Sequence, residues 1–216
     1  MLLAFDTASA AVGVALLTPE GVVVAEQSTP PSLRHAELLA PLIHEVLGEA
    51  ELAPSALTRI VVGVGPGPFT GLRVGVVTAR VMGATLGVPV DGVCSLDALA
   101  AGALRMASAQ PPFVVATDAR RREVYWARYE PDPAGWRRVA GPFVGSAQEA
   151  AGSGGPVVGR GAELYPGVLG SPCRPLDAAA SDVAAVALAG RTVPAEPLYL
   201  RRPDAREPGE RKRVLR

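Results

Sequence analysis

One pattern constrains this chain more than any other: its opening stretch and a stretch near its middle are written alike. LLAFDTASAAVGVALL starts at Leu2, and FVVATDARRREVYWARYE starts at Phe113. In each, an apolar run reaches an aspartate, and a second run begins six residues later: Asp6 then Val12, Asp118 then Val124. Apolar runs of this length, interrupted by a turn of small or polar residues, read as paired strands. Matching strand–aspartate–turn–strand units at the heads of two halves predict an internal duplication. Each half is then one lobe: residues 1–109, and a smaller lobe over 110–200 that begins after Pro111-Pro112. A charged tail follows over 201–216.

The first half reads as an antiparallel meander, then a helix, then strand–helix–strand–helix. Its strands are Met1 to Phe5, Val12 to Leu17, Val22 to Gln27, Arg59 to Val64 and Val88 to Cys94. Ser32 is expected to cap a helix through Leu47, closed by Gly48 and kinked or delayed by Pro41. Thr70 is expected to cap a second helix that closes at Gly87, and Ser95 a third. That succession marks a mixed α/β sheet. The second half has Gly and Pro throughout Gly152 to Pro175, then a short Ala-rich helix from Ser181 to Ala189.

Composition excludes several classes. With 49% hydrophobic and 19% charged residues, the chain can build a core. A net charge of zero supplies no global field toward nucleic acid or membrane. Charge is nonetheless uneven: Arg201 to Arg216 carries seven basic and three acidic residues. Cys94 and Cys173 are the only cysteines, too few for a disulfide framework or a zinc ribbon. No basic leader precedes the first strand and no run of about 18 apolar residues occurs, so a cytoplasmic location without membrane attachment is expected. The only histidines, His35 and His44, miss the i, i+4 register of a helical metal pair, Leu39 standing where the second would fall. No metal, cofactor or catalytic residue is therefore assigned.

Three features carry the chemistry. A carboxylate such as Asp6, at a strand tip beside a turn of backbone N–H groups, is how two-lobed ATPases orient a metal–phosphate group. The DxG turn of such enzymes is absent from Asp6-Thr7-Ala8-Ser9 and from Asp118-Ala119-Arg120, so Asp6 and Thr7 read as a vestigial phosphate turn. The bland reading is an Asx-type carboxylate capping turn N–H groups. The string GVGPGPFTGLR, Gly63 to Arg73, sits where phosphate loops live but is neither Walker A nor GxGxxG. Pro66 and Pro68 delete two donors that a phosphate cradle needs. Gly65, Pro66, Gly67, Phe69 and Thr70 then form a rigid structural loop that aims the next helix. On that helix Gly71, Gly75, Ala79 and Gly83 make a small-residue stripe, flanked by Arg73 and Met82. The preceding helix is apolar through Leu38, Leu42 and Val46. Together they are expected to form a helical association surface, against the simpler reading that both only cover the sheet.

The strings LLAFDTAS, RHAELLAPLI, GPGPFTGLRVGV, DARRREVYWA and EPLYLRRPDA, in this order over nearly the whole chain, resemble the TsaB (YeaZ) family. Pro68 departs from the serine usual there. The resemblance implies a duplicated actin/Hsp70-like ATPase fold (ribonuclease H-like, ASKHA) with a reduced second lobe. It implies a non-catalytic partner that pairs with TsaD through N-lobe helices, is joined by the ATPase TsaE, and forms a homodimer in isolation. The machinery so formed makes N6-threonylcarbamoyladenosine at position 37 of ANN-decoding tRNAs, which this chain would meet only through the complex. Two other functions compete: an active ATPase or kinase using Asp6 and Asp118, which the missing DxG turns oppose, and direct tRNA binding. The latter ranks third because aromatics are only 5% of the chain.

Overall fold

The computed structural model describes residues 1–32, 34–133 and 135–201. The first sheet is built from β1 (Leu2–Asp6), β2 (Gly13–Leu17) and β3 (Val23–Ser28). After α1 (His35–Glu49) come β4 (Arg59–Gly63), α2 (Phe69–Leu86), β5 (Val90–Val93) and α3 (Ser95–Arg105). Strand order is β3-β2-β1-β4-β5: the meander is antiparallel, and β1, β4 and β5 run parallel.

The second sheet holds β6 (Phe113–Asp118), β7 (Val124–Asp132), β8 (Gly135–Gly145) and β9 (Val157–Val158). Its order is β8-β7-β6-β9, with β9 parallel to β6. The two sheets therefore share one plan, β1, β2, β3 and β4 matching β6, β7, β8 and β9. In register, Asp6 stands opposite Gly13 and Asp118 opposite Val124. The second sheet has no counterpart of β5 among the described residues. The fold is a duplicated α/β architecture of two sheets built on one plan, with a smaller second half.

Side-chain alternation explains the layering. On β1, Leu3 and Phe5 join a core with Leu39, Ile43, Val46, Val76 and Ala79 of α1 and α2. Leu2 and Ala4, one residue out of phase, face the opposite way into a second core with α3. Phe113, Val115 and Tyr129 of the second sheet reach that same core, so the two sheets grip α3 between them. The outer face of the second sheet is closed by Val114, Ala116 and Val124 against α4 (Ala147–Ala151), α5 (Arg160–Leu164) and α6 (Pro166–Leu169). Each fully buried Leu or Phe contributes about 1.5–3 kcal/mol of transfer free energy.

Several sequence expectations change. The last helix, α7 (Ala180–Leu188), does not stay with the second sheet. It packs on α3, β1 and β2, and Val193 bridges Gly92 at the edge of the first sheet. Leu198 donates its N–H to Val64 O, so the end of the expected second lobe belongs physically to the first. The reason is apolar area: Val183, Ala184, Val186 and Ala187 are buried in the core between the sheets. Ser32 is not the cap of α1; Arg34 holds that position without a side-chain cap. Ser32 instead bonds Ala10 O through its own N–H. Pro41 neither delays nor stops α1, which runs through it. Thr70 lies inside α2, whose N-cap is Pro68, and Ser95 is the first residue of α3 rather than its cap. Of the expected tail, residues 202–216 lie outside the described residues, and Arg201 bonds Ala119 O.

Candidate functional site

β1 ends at Asp6, whose side chain is fully buried. One carboxylate oxygen accepts the Ala8 N–H at 2.9 Å, the Ser9 N–H at 3.1 Å and the Ser9 hydroxyl at 3.1 Å. The other accepts the Ser95 hydroxyl from the start of α3. Burial pushes the Asp6 carboxyl above the ordinary aspartate range, and these hydrogen bonds only partly oppose it. A side chain at Gly63, on neighbouring β4, would collide with this carboxylate, so glycine is required there.

Thr7 is likewise fully buried, and it ties the turn to α2. Its hydroxyl donates to Gly71 O at 2.7 Å and accepts the Gly75 N–H at 3.1 Å. The Gly-Pro loop closes the other side. Ser95 takes part twice more: its N–H donates to Gly65 O at 2.8 Å, and its hydroxyl accepts the Gly65 N–H at 3.2 Å. Gly65 has φ +92°, a left-handed conformation that suits glycine. Pro66 and Gly67 are buried, and any Cβ at Gly67 would run into the backbone of Ala8. The loop is thus packed against the turn and not opened toward a ligand.

The second turn is different. Asp118 accepts the Arg120 N–H at 2.7 Å, and its other oxygen lies 3.2 Å from the Arg120 guanidinium. Arg120, Arg121 and Arg122 all have positive φ, 59°, 56° and 62°. Between the two turns lies a cleft of about 680 Å³, lined by Ser9, His35 and Thr70 on one side and Asp118, Arg120 and Arg160 on the other. His35 contacts Ser9 O through Nε2 at 3.0 Å. Arg160 is engaged by Asp177 and Glu163. Among the described residues no three His, Cys, Asp or Glu side chains converge as metal donors.

The residues expected to form an association surface divide between the core and the exterior. Gly71, Gly75 and Gly83 face their own lobe, where a Cβ would meet Thr7, Thr7 and Val90. Ala79, Leu42 and Val46 are buried in the core of that lobe. These six positions are filled from within, because α2 must approach β1 and β4 closely enough for Thr7 to reach its backbone. Leu38 and Met82 remain half-buried, and Arg73 is exposed. The outward side of α2 presents Val77 and Val81, 58% and 59% exposed. Phe69 is half-buried and stacks on Tyr199, with ring centroids 5.3 Å apart.

Sequence reasoning missed Ser95, Tyr199 and Arg201. Nothing local marks them, since each acts on a residue far away along the chain. Arg201 donates to Ala119 O at 2.7 Å, joining the returning C-terminal segment to the Asp118 turn.

Comparison with known proteins follows the same outline. The family model described as TsaD, tRNA N6-adenosine threonylcarbamoyltransferase, matches residues 21–173. The solved structure of YeaZ from Pseudomonas aeruginosa superposes with a TM-score of 0.76 and 31% identity, over 92% of this chain and 99% of that one. The chain belongs to the TsaB (YeaZ) family. The TsaB protein of Bacillus subtilis, whose name assigns it to tRNA threonylcarbamoyladenosine biosynthesis, is 37% identical over 129 residues, 60% of this chain and 55% of that protein. An uncharacterized protein of Mycobacterium leprae is 42% identical over 95% of this chain and 56% of its own length. The matches thus span about half the length of these two curated relatives. A Mycobacterium tuberculosis protein, also uncharacterized and 42% identical, is matched over 93% of its length. No described helix is long and apolar enough to cross a membrane.

Proposed function

We propose that this chain serves tRNA threonylcarbamoyladenosine formation as a non-catalytic partner that holds a TsaD-like transferase in its active form, with the ATPase TsaE joining the assembly. The observation that carries this reading is the closed state of the Asp6 turn. Four donors of the chain itself engage the two carboxylate oxygens, and the group is fully buried and does not line the cleft. A carboxylate that orients metal or water for phosphoryl chemistry must present a free lone pair to them. Asp118 is paired with Arg120 and offers no second such group. The family names and the TsaD-like match support the pathway, and they support pairing between related two-lobed chains.

The surface proposed for that pairing is the outward side of α1 and α2. It offers Val77 and Val81, flanked by Leu38, Arg73 and Met82, and the same face fits self-association in isolation. Copurification from the native cell tests the reading: a TsaD-like protein should come with the tagged chain. Calorimetry with Mg-ATP should show no turnover by the isolated chain. Turnover abolished by Asp6→Ala, or the absence of any TsaD-like protein from the copurified material, overturns it.

A further inference from the structure

At a rim where the start of α2 adjoins the returning C-terminal segment, positive charge and aromatic surface gather from three distant segments. Arg73, on the first turn of α2, donates Nε–H to the Tyr199 hydroxyl at 2.7 Å. Its guanidinium carbon lies 5.6 Å and 5.5 Å from the centroids of the Phe69 and Tyr199 rings. Tyr199 is 41% exposed, so this cation–aromatic stack is open to solvent. Two residues on, Arg201 bonds Ala119 O and pairs with Glu123, which brings the stack beside the Asp118 turn. There Arg120, Arg121 and Arg122 are exposed on a turn of three consecutive positive-φ residues, unusual for arginine, with the Arg120 guanidinium beside Asp118.

The charge is segregated. Segments 69–73, 118–123 and 193–201 hold five arginines against three acidic residues. The rest of the described chain holds ten basic and fifteen acidic residues. A neutral protein that gathers arginines at one rim, with Arg73, Arg120, Arg121 and Arg122 exposed, favours an extended polyanion there. Planar aromatic and guanidinium faces beside the charge fit unstacked bases, which an acidic protein surface does not supply.

We propose that this rim is an RNA-contacting surface, with Arg120, Arg121 and Arg122 on backbone phosphates, Arg201 holding the turn beside them, and the Arg73–Tyr199 stack against a base. It deepens, and rests on, the reading that the chain works in tRNA modification: the RNA is the tRNA being modified, met directly by this subunit. It raises direct tRNA contact, ranked low from the aromatic content alone, because the few aromatics are placed where the charge is.

The test titrates the full-length chain with an unmodified tRNA transcript by fluorescence anisotropy, from about 50 to 200 mM salt. Replacing Arg120, Arg121 and Arg122 together by Asn, a residue that tolerates positive φ, should weaken binding tenfold or more. The slope of log K against log salt should fall by about 2. The single change Arg122→Asn should lower the slope by about 0.7, and it serves if the triple variant melts early. Tyr199→Ala should weaken binding about fivefold or more with an unchanged slope, and Tyr199→Phe should restore most of it. The proposal is overturned by any of three results: no tRNA binding by the native chain, an unchanged slope in folded arginine variants, or Tyr199→Ala without effect. Loss of TsaD capture by the arginine variants with tRNA affinity intact would assign the rim to a protein and equally overturn it. Failure of the native chain to capture any TsaD-like protein sinks the pathway reading separately, since the titration needs no partner.

Discussion

Asp6 is a buried strand-tip carboxylate whose oxygens are engaged by its own turn and by α3. Its oxygens satisfy Ala8, Ser9 and Ser95, so removing the side chain orphans buried donors. Asp6→Ala should cost about 2–4 kcal/mol, read as a shift of the urea midpoint. Asp6→Asn keeps an acceptor for the turn N–H groups and a partner for Ser95, and should stay within about 1 kcal/mol of native. The pH dependence has a definite sign. Burial raises the folded-state pKa of Asp6, so the folded chain holds that proton more tightly than the unfolded one. Stability from this group is fully present below the unfolded value, about 3.9, and falls as pH rises through the raised folded value. Asp6→Asn should flatten that part of a stability–pH curve; an unaltered curve would show that the carboxylate is not so perturbed. Gly75 makes the companion case. A side chain there meets the Thr7 hydroxyl, so Gly75→Leu should destabilise the chain by about 3 kcal/mol rather than merely block a partner. A Gly75→Leu variant with native melting would contradict the packing of α2 on Thr7.

At the scale of elements, α1 and α2 separate two faces that composition blends. Both are broadly apolar, and the side bearing Leu42, Val46, Ala79 and the glycines is spent on their own sheet. Val77 and Val81 point outward at i, i+4 spacing, where neighbours along a helix face lie together. Val77→Arg and Val81→Arg should leave the melting temperature within about 2 °C, since exposed changes away from special features cost little and arginine favours helix. Together they should weaken capture of the TsaD-like partner tenfold or more, checked by titration of the purified pair. Unweakened capture would remove this face from the interface. Leu42→Arg, by contrast, places a charge in the core and should unfold the lobe.

The molecule as a whole is held together by a chain that returns. α7 inserts beside α3 between the sheets, and residues 193–201 then touch the first sheet at Gly92 and Val64 and the second turn at Ala119. Truncation after Gly190 removes those contacts and the Tyr199 stack while leaving α7. It should lower the melting temperature by several degrees, as expected for the loss of about 1–2 kcal/mol from a chain of this size. A truncated chain that melts with the native one would show that this segment only rests on the surface.

What the sequence determined by itself is what local pattern encodes. The two strand–aspartate–turn–strand units, the meander, the parallel β4 and β5, and the left-handed close of α2 at Gly87 follow from short-range periodicity and from glycine. The prolines that delete donors from the loop were legible for the same reason, because a missing N–H is a property of one residue. Only the tertiary structure decided which face of α2 is inside. The glycine stripe suits a close backbone approach from either side, and Thr7, 64 residues from Gly71, makes that choice. It also decided that Ser95 serves Asp6 rather than a helix end, that α7 returns to the first sheet, that Arg73 meets Tyr199, and that Arg201 meets the arginine turn. Each of these depends on a hydrogen bond or packing contact between residues far apart in the chain, and side-chain spacing within one segment carries no record of such a partner.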